Sequence, residues 1–177
     1  SLGLVGSEMC IRDSNISNVE KQLNERGFDE ITLLQRKGQV SWQKMICYAH
    51  NQMEEDAYVS LGKTIMFNKK RAELLSDPNV TEEVKSGEQF QTAWVNILFG
   101  KYEDAKKNLE KLKKIQEARN DPTAMYGYHG LAGMAHLMEG NYELALENFS
   151  NGNETAIYFN YFKGCLLYTS PSPRDRG

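Results

Sequence analysis

Two short stretches of this chain repeat one pattern, and each follows an apolar segment with helical spacing. Residues 100–105 read GKYEDA and residues 140–145 read GNYELA, so glycine, tyrosine and alanine recur at the same three positions. Glycine ends helices readily because it adopts positive φ without strain. The pattern therefore predicts two helical hairpins, one turning at Gly100 and the other at Gly140.

The segments around these turns predict helices almost throughout. From Trp42 to Ile65 apolar residues recur every three or four positions, which is the helical period. We expect this helix to end near residue 75, with Gly62 as a candidate kink. A further helix is expected from a cap at Asp77 or Thr81 to about residue 99. Others are expected at about 101–119, 123–139 and 141–150, and another begins near residue 154. Before Trp42 we expect one or two short helices, broken at Gly27 and Gly38. The predicted fold class is all-α.

The two ends of the chain are complementary to each other when written as DNA. One codon choice for LVGSEMCIRD (4–13) has a reverse complement that translates, one base out of register, as CLLYTSPSPR (165–174). A flanking inverted repeat produces such complementarity, whereas independently folding segments do not. The strings resemble the translated ends of a transposase-type sequencing adapter, so residues 1–14 and 165–177 are interpreted as non-native. Residues 15–164 are then expected to be an internal fragment of a longer protein.

Composition places the remaining chain, of roughly 150 residues, in the size range of one ordinary domain. The chain is 40% hydrophobic and 25% charged, which is typical of globular proteins and argues against disorder. A net charge of −3 argues against nucleic-acid binding, because phosphates require a positive excess. No apolar run approaches the ~20 residues that span a bilayer. Cytoplasm and periplasm both stay open, because the native N-terminus is expected to be missing.

The repeated pattern resembles the inter-helix turn of the tetratricopeptide repeat. In the second copy, Gly133 precedes the turn and Phe149 follows it at the spacing of the family's small and aromatic positions. A third copy begins at IYFNYFKG (157–164) and is cut off. The residues assigned to packing within and between repeats are Ala93, Gly100, Tyr102, Ala105, Gly133, Gly140, Tyr142, Ala145 and Phe149.

The sequence also departs from the family. Gly100 and Gly140 are 40 residues apart, whereas the family repeat is about 34 residues long. The extra length is assigned to the second helix of the first copy. Gln89 and His129 stand where the family has a large aromatic residue, and the closing proline is absent. The repeats are placed at 86–125, 126–156 and 157–164, after a helical segment, 15–85, in which degenerate repeats are an open alternative.

The resemblance implies antiparallel helix hairpins stacked as a short right-handed α-solenoid, whose first helices line a concave groove. Such a groove binds a peptide segment, either extended or helical. The expected function is a non-catalytic scaffold for a protein or peptide partner, with no cofactor, no metal and no nucleic acid. The groove positions carried over from the family are Phe90, Trp94, Ile97, Gly130, Met134 and Leu137.

Two alternatives remain open at this point. Trp94 is the expected binding anchor, but ordinary packing between helices explains this residue equally well. The chain could also be the helical accessory region of a larger enzyme or signalling protein, as in many bacterial chains, with a catalytic domain outside the fragment.

Other candidate sites are weak. SLGKT (60–64) resembles the end of a phosphate-binding loop, but Ala57 stands where that loop needs glycine. His129 and His136 share a helix face but lie about 10 Å apart along the axis, which is too far for one metal ion. The lysines of 106–114 alternate with glutamates and indicate a solvated helix face. Cys47 lies in an apolar helical pattern and is interpreted as a core residue.

Overall fold

The computed structural model describes residues 18–19, 21–119, 121 and 123–169. Within these ranges all regular secondary structure is helical, which confirms the predicted all-α class. The adapter-like residues 1–14 and 170–177 lie outside the described residues. No helix in the described part has the length and apolarity that crossing a membrane requires.

Seven helices follow residues 18–25 in chain order. They are α1 (Glu30–His50), α2 (Glu54–Leu75), α3 (Pro78–Leu98), α4 (Tyr102–Glu117), α5 (Tyr126–Met138), α6 (Tyr142–Ser150) and α7 (Ile157–Thr169). The chain divides into two compact units, residues 1–85 and 86–177. Helix α3 begins in the first unit, and its residues from Ser86 onwards belong to the second.

The first unit contradicts two details of the sequence-based prediction. The expected continuous helix from Trp42 to residue 75 is wrong, because α1 ends at His50 and α2 begins at Glu54. The expected break at Gly38 is also wrong, because this residue lies inside α1. The break at Gly27 is confirmed, since its φ is +65°. Asp29 then starts α1, accepting a 3.0 Å hydrogen bond from the Thr32 amide.

Helices α1 and α2 pack closely as a hairpin because small residues lie between them. A Cβ atom added at Gly38 would lie 2.9 Å from Oδ1 of Asn68, so glycine lets this asparagine approach the α1 backbone. Gly62 lies within α2 and leaves that helix uninterrupted. The buried residues of the pair are Leu34, Gly38, Ser41, Met45, Ala49, Ala57, Ser60, Leu61, Thr64 and Ala72.

The second unit contains the hairpin of α3 and α4, the hairpin of α5 and α6, and α7. Helix α4 has 16 residues and α6 has 9, so the second helix is the longer one in the first of these hairpins. One apolar core joins these elements. Its buried members are Ala93, Ile97, Ala105, Leu109, Leu112, Leu131, Met134, Ala135, Ala145, Phe149 and Leu166.

Helix α7 continues past Gly164, the last residue before the segment interpreted as non-native. It runs through Thr169, and Leu166 is only 7% exposed in the core. On the outside of the same helix, Ile157 is 87% exposed and Tyr161 is 67% exposed. The interpretation of residues 165–177 as non-native stays a prediction.

Candidate functional site

The turns at Gly100 and Gly140 have the same hydrogen bonds. Gly100 has a φ of +68°, its amide donates to the Ile97 carbonyl at 3.1 Å, and the Lys101 amide donates to the Asn96 carbonyl at 2.8 Å. Gly140 has a φ of +81° and the corresponding bonds measure 3.1 and 2.8 Å. This pair of bonds is the Schellman motif, in which a left-handed residue satisfies the last helix carbonyls. Both predicted hairpin turns are therefore present.

A third turn of the same type lies in the first unit and was missed in the sequence. Gln52 has a φ of +60°, its amide donates to the Ala49 carbonyl at 3.2 Å, and the Met53 amide donates to the Tyr48 carbonyl at 2.9 Å. The available signal was the tripeptide EDA, which ends at Ala57 and recurs at 103–105. A search that requires glycine at the left-handed position overlooks it.

The alanine that closes each pattern is fully buried. Ala57, Ala105 and Ala145 each lie five residues after the left-handed residue of their turn, and each is 0% exposed. The alanine therefore serves close helix packing, as the resemblance implies for the two copies at 105 and 145.

A polar bridge lies at corresponding positions of the two hairpins in the second unit. The Asn108 amide donates to Oε1 of Gln89 at 2.9 Å, and its Oδ1 accepts from Asn96 at 3.1 Å. Forty residues later, Oδ1 of Asn148 lies 3.2 Å from Nδ1 of His129. Gln89 and His129 thus each take part in a hydrogen bond between the two helices of their hairpin.

The remaining residues assigned to packing differ in their burial. Ala93 is 0% exposed, and a Cβ atom at Gly133 would lie 2.7 Å from the ring of Phe149, so only glycine fits beside this phenylalanine. Tyr102 packs against the core, whereas its counterpart Tyr142 is 62% exposed.

The six expected groove residues separate into two sets. Ile97 and Met134 are at most 1% exposed, and Gly130 is also buried, so these three contribute to packing. Phe90, Trp94 and Leu137 are partly buried and retain exposed surface.

Aromatic rings of α7 lie against Trp94. The ring centroid of Trp94 is 4.8 Å from that of Tyr158 and 5.8 Å from that of Phe159, and Phe90 meets the same indole edge-on at 5.5 Å. Gly130 makes this approach possible, because a Cβ atom there would lie 2.5 Å from the Phe159 ring. Burial raises the pKa of the Tyr158 hydroxyl, and a hydrogen bond with Trp94 offsets part of that rise.

Charged side chains on α4 reach the second hairpin. Lys106 lies 2.8 Å from Oε1 of Glu139 and 3.2 Å from Glu103. The hydrogen bonds that Lys106 donates to these two carboxylates raise its pKa, and the bond to Glu139 makes the larger contribution. Nζ of Lys113 lies 5.7 Å from the ring centroid of Tyr128. Two of the lysines that the sequence assigned to a solvated face therefore join α4 to α5 and its C-terminal turn.

Two further features are the possible metal ligands and a cavity in the first unit. No cluster of three His, Cys, Asp or Glu side chains suited to a metal ion lies within the residues that the structure describes. In the first unit, a cavity of about 440 Å³ is lined by Val19, Gln39, Val40, Trp42 and Gln43. Its lining carries no ionisable side chain.

The comparisons with known proteins add no family to this geometry. No family model matches the chain, and neither curated proteins nor solved structures gave a match.

Proposed function

We propose that this chain is a tetratricopeptide-like binding scaffold, whose helix hairpins stack as a right-handed α-solenoid and present a surface for a peptide segment. The proposal concerns binding alone and gives the chain no catalytic group. One observation carries it: Gly100 and Gly140, 40 residues apart, turn two consecutive hairpins through the same hydrogen bonds.

The packing positions support the repeat assignment. A solenoid repeat must bury its apolar face against its neighbours, because one hairpin is too small to cover it. In the second unit a single core includes Ala105 and Leu109 of the first hairpin and Ala145 and Phe149 of the second. Lys106 and Glu139 add an ion pair between the two hairpins.

The aromatic surface supports the binding assignment. Phe90 and Trp94 lie one turn apart on α3 and are partly buried. Tryptophan is the residue type most enriched at energetically dominant positions of protein interfaces. Leu137 is the third expected groove residue that retains exposed surface.

Selection from a displayed library of random 16-residue peptides against the whole chain tests the proposal. Enriched peptides should bind the parent chain and lose affinity by at least about tenfold in Trp94→Ala, which is the effect of losing about 1.4 kcal/mol. Trp42→Ala, in the first unit, is the matched control and should leave binding unchanged. The proposal would be wrong if no peptide is enriched. It would also be wrong if the enriched peptides bind equally well after substitution of Trp94, Phe90 or Leu137.

A further inference from the structure

We propose that the aromatic surface of α3 and α5 is a receptor for an aromatic helix, and that α7 occupies this receptor in cis. This inference rests on the proposed function and specifies its partner: a helix with two consecutive aromatic residues and a third one turn after the first. Such a partner binds by displacing α7.

The receptor is an aromatic ridge beside a strip without side chains. Phe90 and Trp94 form the ridge on α3, and Gly127 and Gly130 form the strip on α5. A Cβ atom at Gly127 would lie 3.4 Å from the Phe90 ring, so the ridge directly borders the strip. None of these four residues carries a charge, and the surface is therefore suited to apolar rings.

Helix α7 shows which kind of segment fits this surface. Tyr158 and Phe159 both contact the Trp94 ring, with centroids 4.8 and 5.8 Å away, and the Phe159 ring lies over Gly130. Phe162, one turn after Tyr158, stacks edge-on against it at 5.2 Å. The segment seated here is helical, and its rings enter from one face. This favours a helical ligand over an extended one.

Helix α7 is tethered by a short linker and anchored in the core by Leu166, so an incoming ligand must displace this contact as well as the aromatic rings. It follows α6 through residues 151–156, where Asn160 donates to the carbonyls of Asn153 and Glu154 at 3.3 and 2.6 Å. Ile157 and Tyr161, on the other face, are 87% and 67% exposed. A segment tethered by so short a linker has an effective concentration of about millimolar, so a free ligand must compete with it.

The test uses the whole chain and a labelled synthetic peptide that copies residues 154–164, ETAIYFNYFKG. In the double variant Tyr158→Ala/Phe159→Ala the cis helix loses the rings that seat it. The peptide should bind this variant at least about tenfold more tightly than the parent chain, because cis competition is weakened. The double variant Ile157→Ala/Tyr161→Ala loses exposed apolar residues from the same helix and should bind like the parent.

A second peptide, ETAIAANYFKG, should bind none of the three chains. Two outcomes would overturn the inference. One is equal affinity of the 154–164 peptide for all three chains. The other is no binding of that peptide to Tyr158→Ala/Phe159→Ala when this variant keeps its helical circular dichroism signal.

If that variant unfolds, amide hydrogen exchange of the parent chain tests the inference instead. Residues 160–164 should exchange at least about tenfold faster than the buried residues 130–135 of α5, through local opening of α7. A common exchange rate overturns the inference.

The library peptides separate this inference from the proposed function. Peptides that need Trp94 yet bind the parent chain and Tyr158→Ala/Phe159→Ala equally well would leave the binding function standing and remove the role of α7. Peptides that bind the double variant at least about tenfold more tightly support both.

Discussion

The turn of the α1–α2 hairpin and the turn of the α3–α4 hairpin have the same geometry but different residues at the critical position. Gln52 and Gly100 have φ values of +60° and +68°, and both amides donate to the carbonyl three residues before. The next helix starts alike, with a φ of −90° at Met53 and −85° at Lys101. The paired hydrogen bonds therefore define the turn, and glycine only lowers its strain.

The hairpins also differ in how they fill one position of their interior. Seven residues before the turn residue stand Met45, Ala93 and Gly133 in chain order, and nine residues after it stand Leu61, Leu109 and Phe149. All six are buried. The second residue is leucine where the first is methionine or alanine, and it is phenylalanine only where the first is glycine. Close packing requires such complementary volumes, and the third pair is in direct contact.

The largest expected effect is at this third pair. In Gly133→Ala the new methyl group would lie 2.7 Å from the Phe149 ring, and the free energy of unfolding should fall by about 2 kcal/mol. Urea denaturation measures the change. Gly87→Ala is the matched control, because nothing lies within 4 Å of its Cβ position. This control should gain about 0.5–1 kcal/mol from helix propensity.

A double variant makes the comparison sharper. Gly133→Ala/Phe149→Leu reproduces the Ala93 and Leu109 pair of the first hairpin. It should be more stable than the sum of the single changes predicts, by at least about 1 kcal/mol, because the two residues touch. Strict additivity would show that the two sites do not compensate for each other.

The next effect concerns the polar bridges. Asn108→Ala should cost about 1.5 kcal/mol, because it removes the hydrogen bond from Asn96, which is 6% exposed, and the hydrogen bond to Gln89. Asn148→Ala should cost less, since His129 is partly exposed and reaches water. Thermal unfolding of both variants measures the difference. Equal losses would mean that the two bridges are equivalent in energy as well as in position.

The sequence predicted most of the second unit because its signals are local. Helix periodicity and two glycine turns placed α3 to α6 within a few residues of their bounds, and placed the start of α7. The turn at Gln52 was missed because no local residue announces it: glutamine adopts positive φ only when neighbouring helices hold it there. The contact of Trp94 with Tyr158 was missed for a related reason, since it joins residues 64 positions apart.

A smaller effect distinguishes the turns themselves. Gly100→Ala and Gly140→Ala should each lose about 1 kcal/mol of stability, because alanine is strained at positive φ. Gln52→Ala should change stability by less than about 0.5 kcal/mol, since one residue with a Cβ replaces another. Guanidinium denaturation of the three variants measures this. A loss at Gln52→Ala as large as at the glycines would show that the glutamine side chain itself stabilises its turn.

A gain of stability at Gln52 would show that the first turn is a strained version of the others. In Gln52→Gly the backbone keeps a φ near +60° without the clash of a Cβ atom, and the greater freedom of glycine in the unfolded chain offsets part of that relief. The chain should therefore become more stable by about 0.5–1 kcal/mol, measured as a higher denaturation midpoint at unchanged slope. A loss of stability would mean that Gln52 is held by contacts that glycine cannot make. The likeness between the three turns would then be limited to their hydrogen bonds, and the hairpin of α1 and α2 would need an explanation of its own.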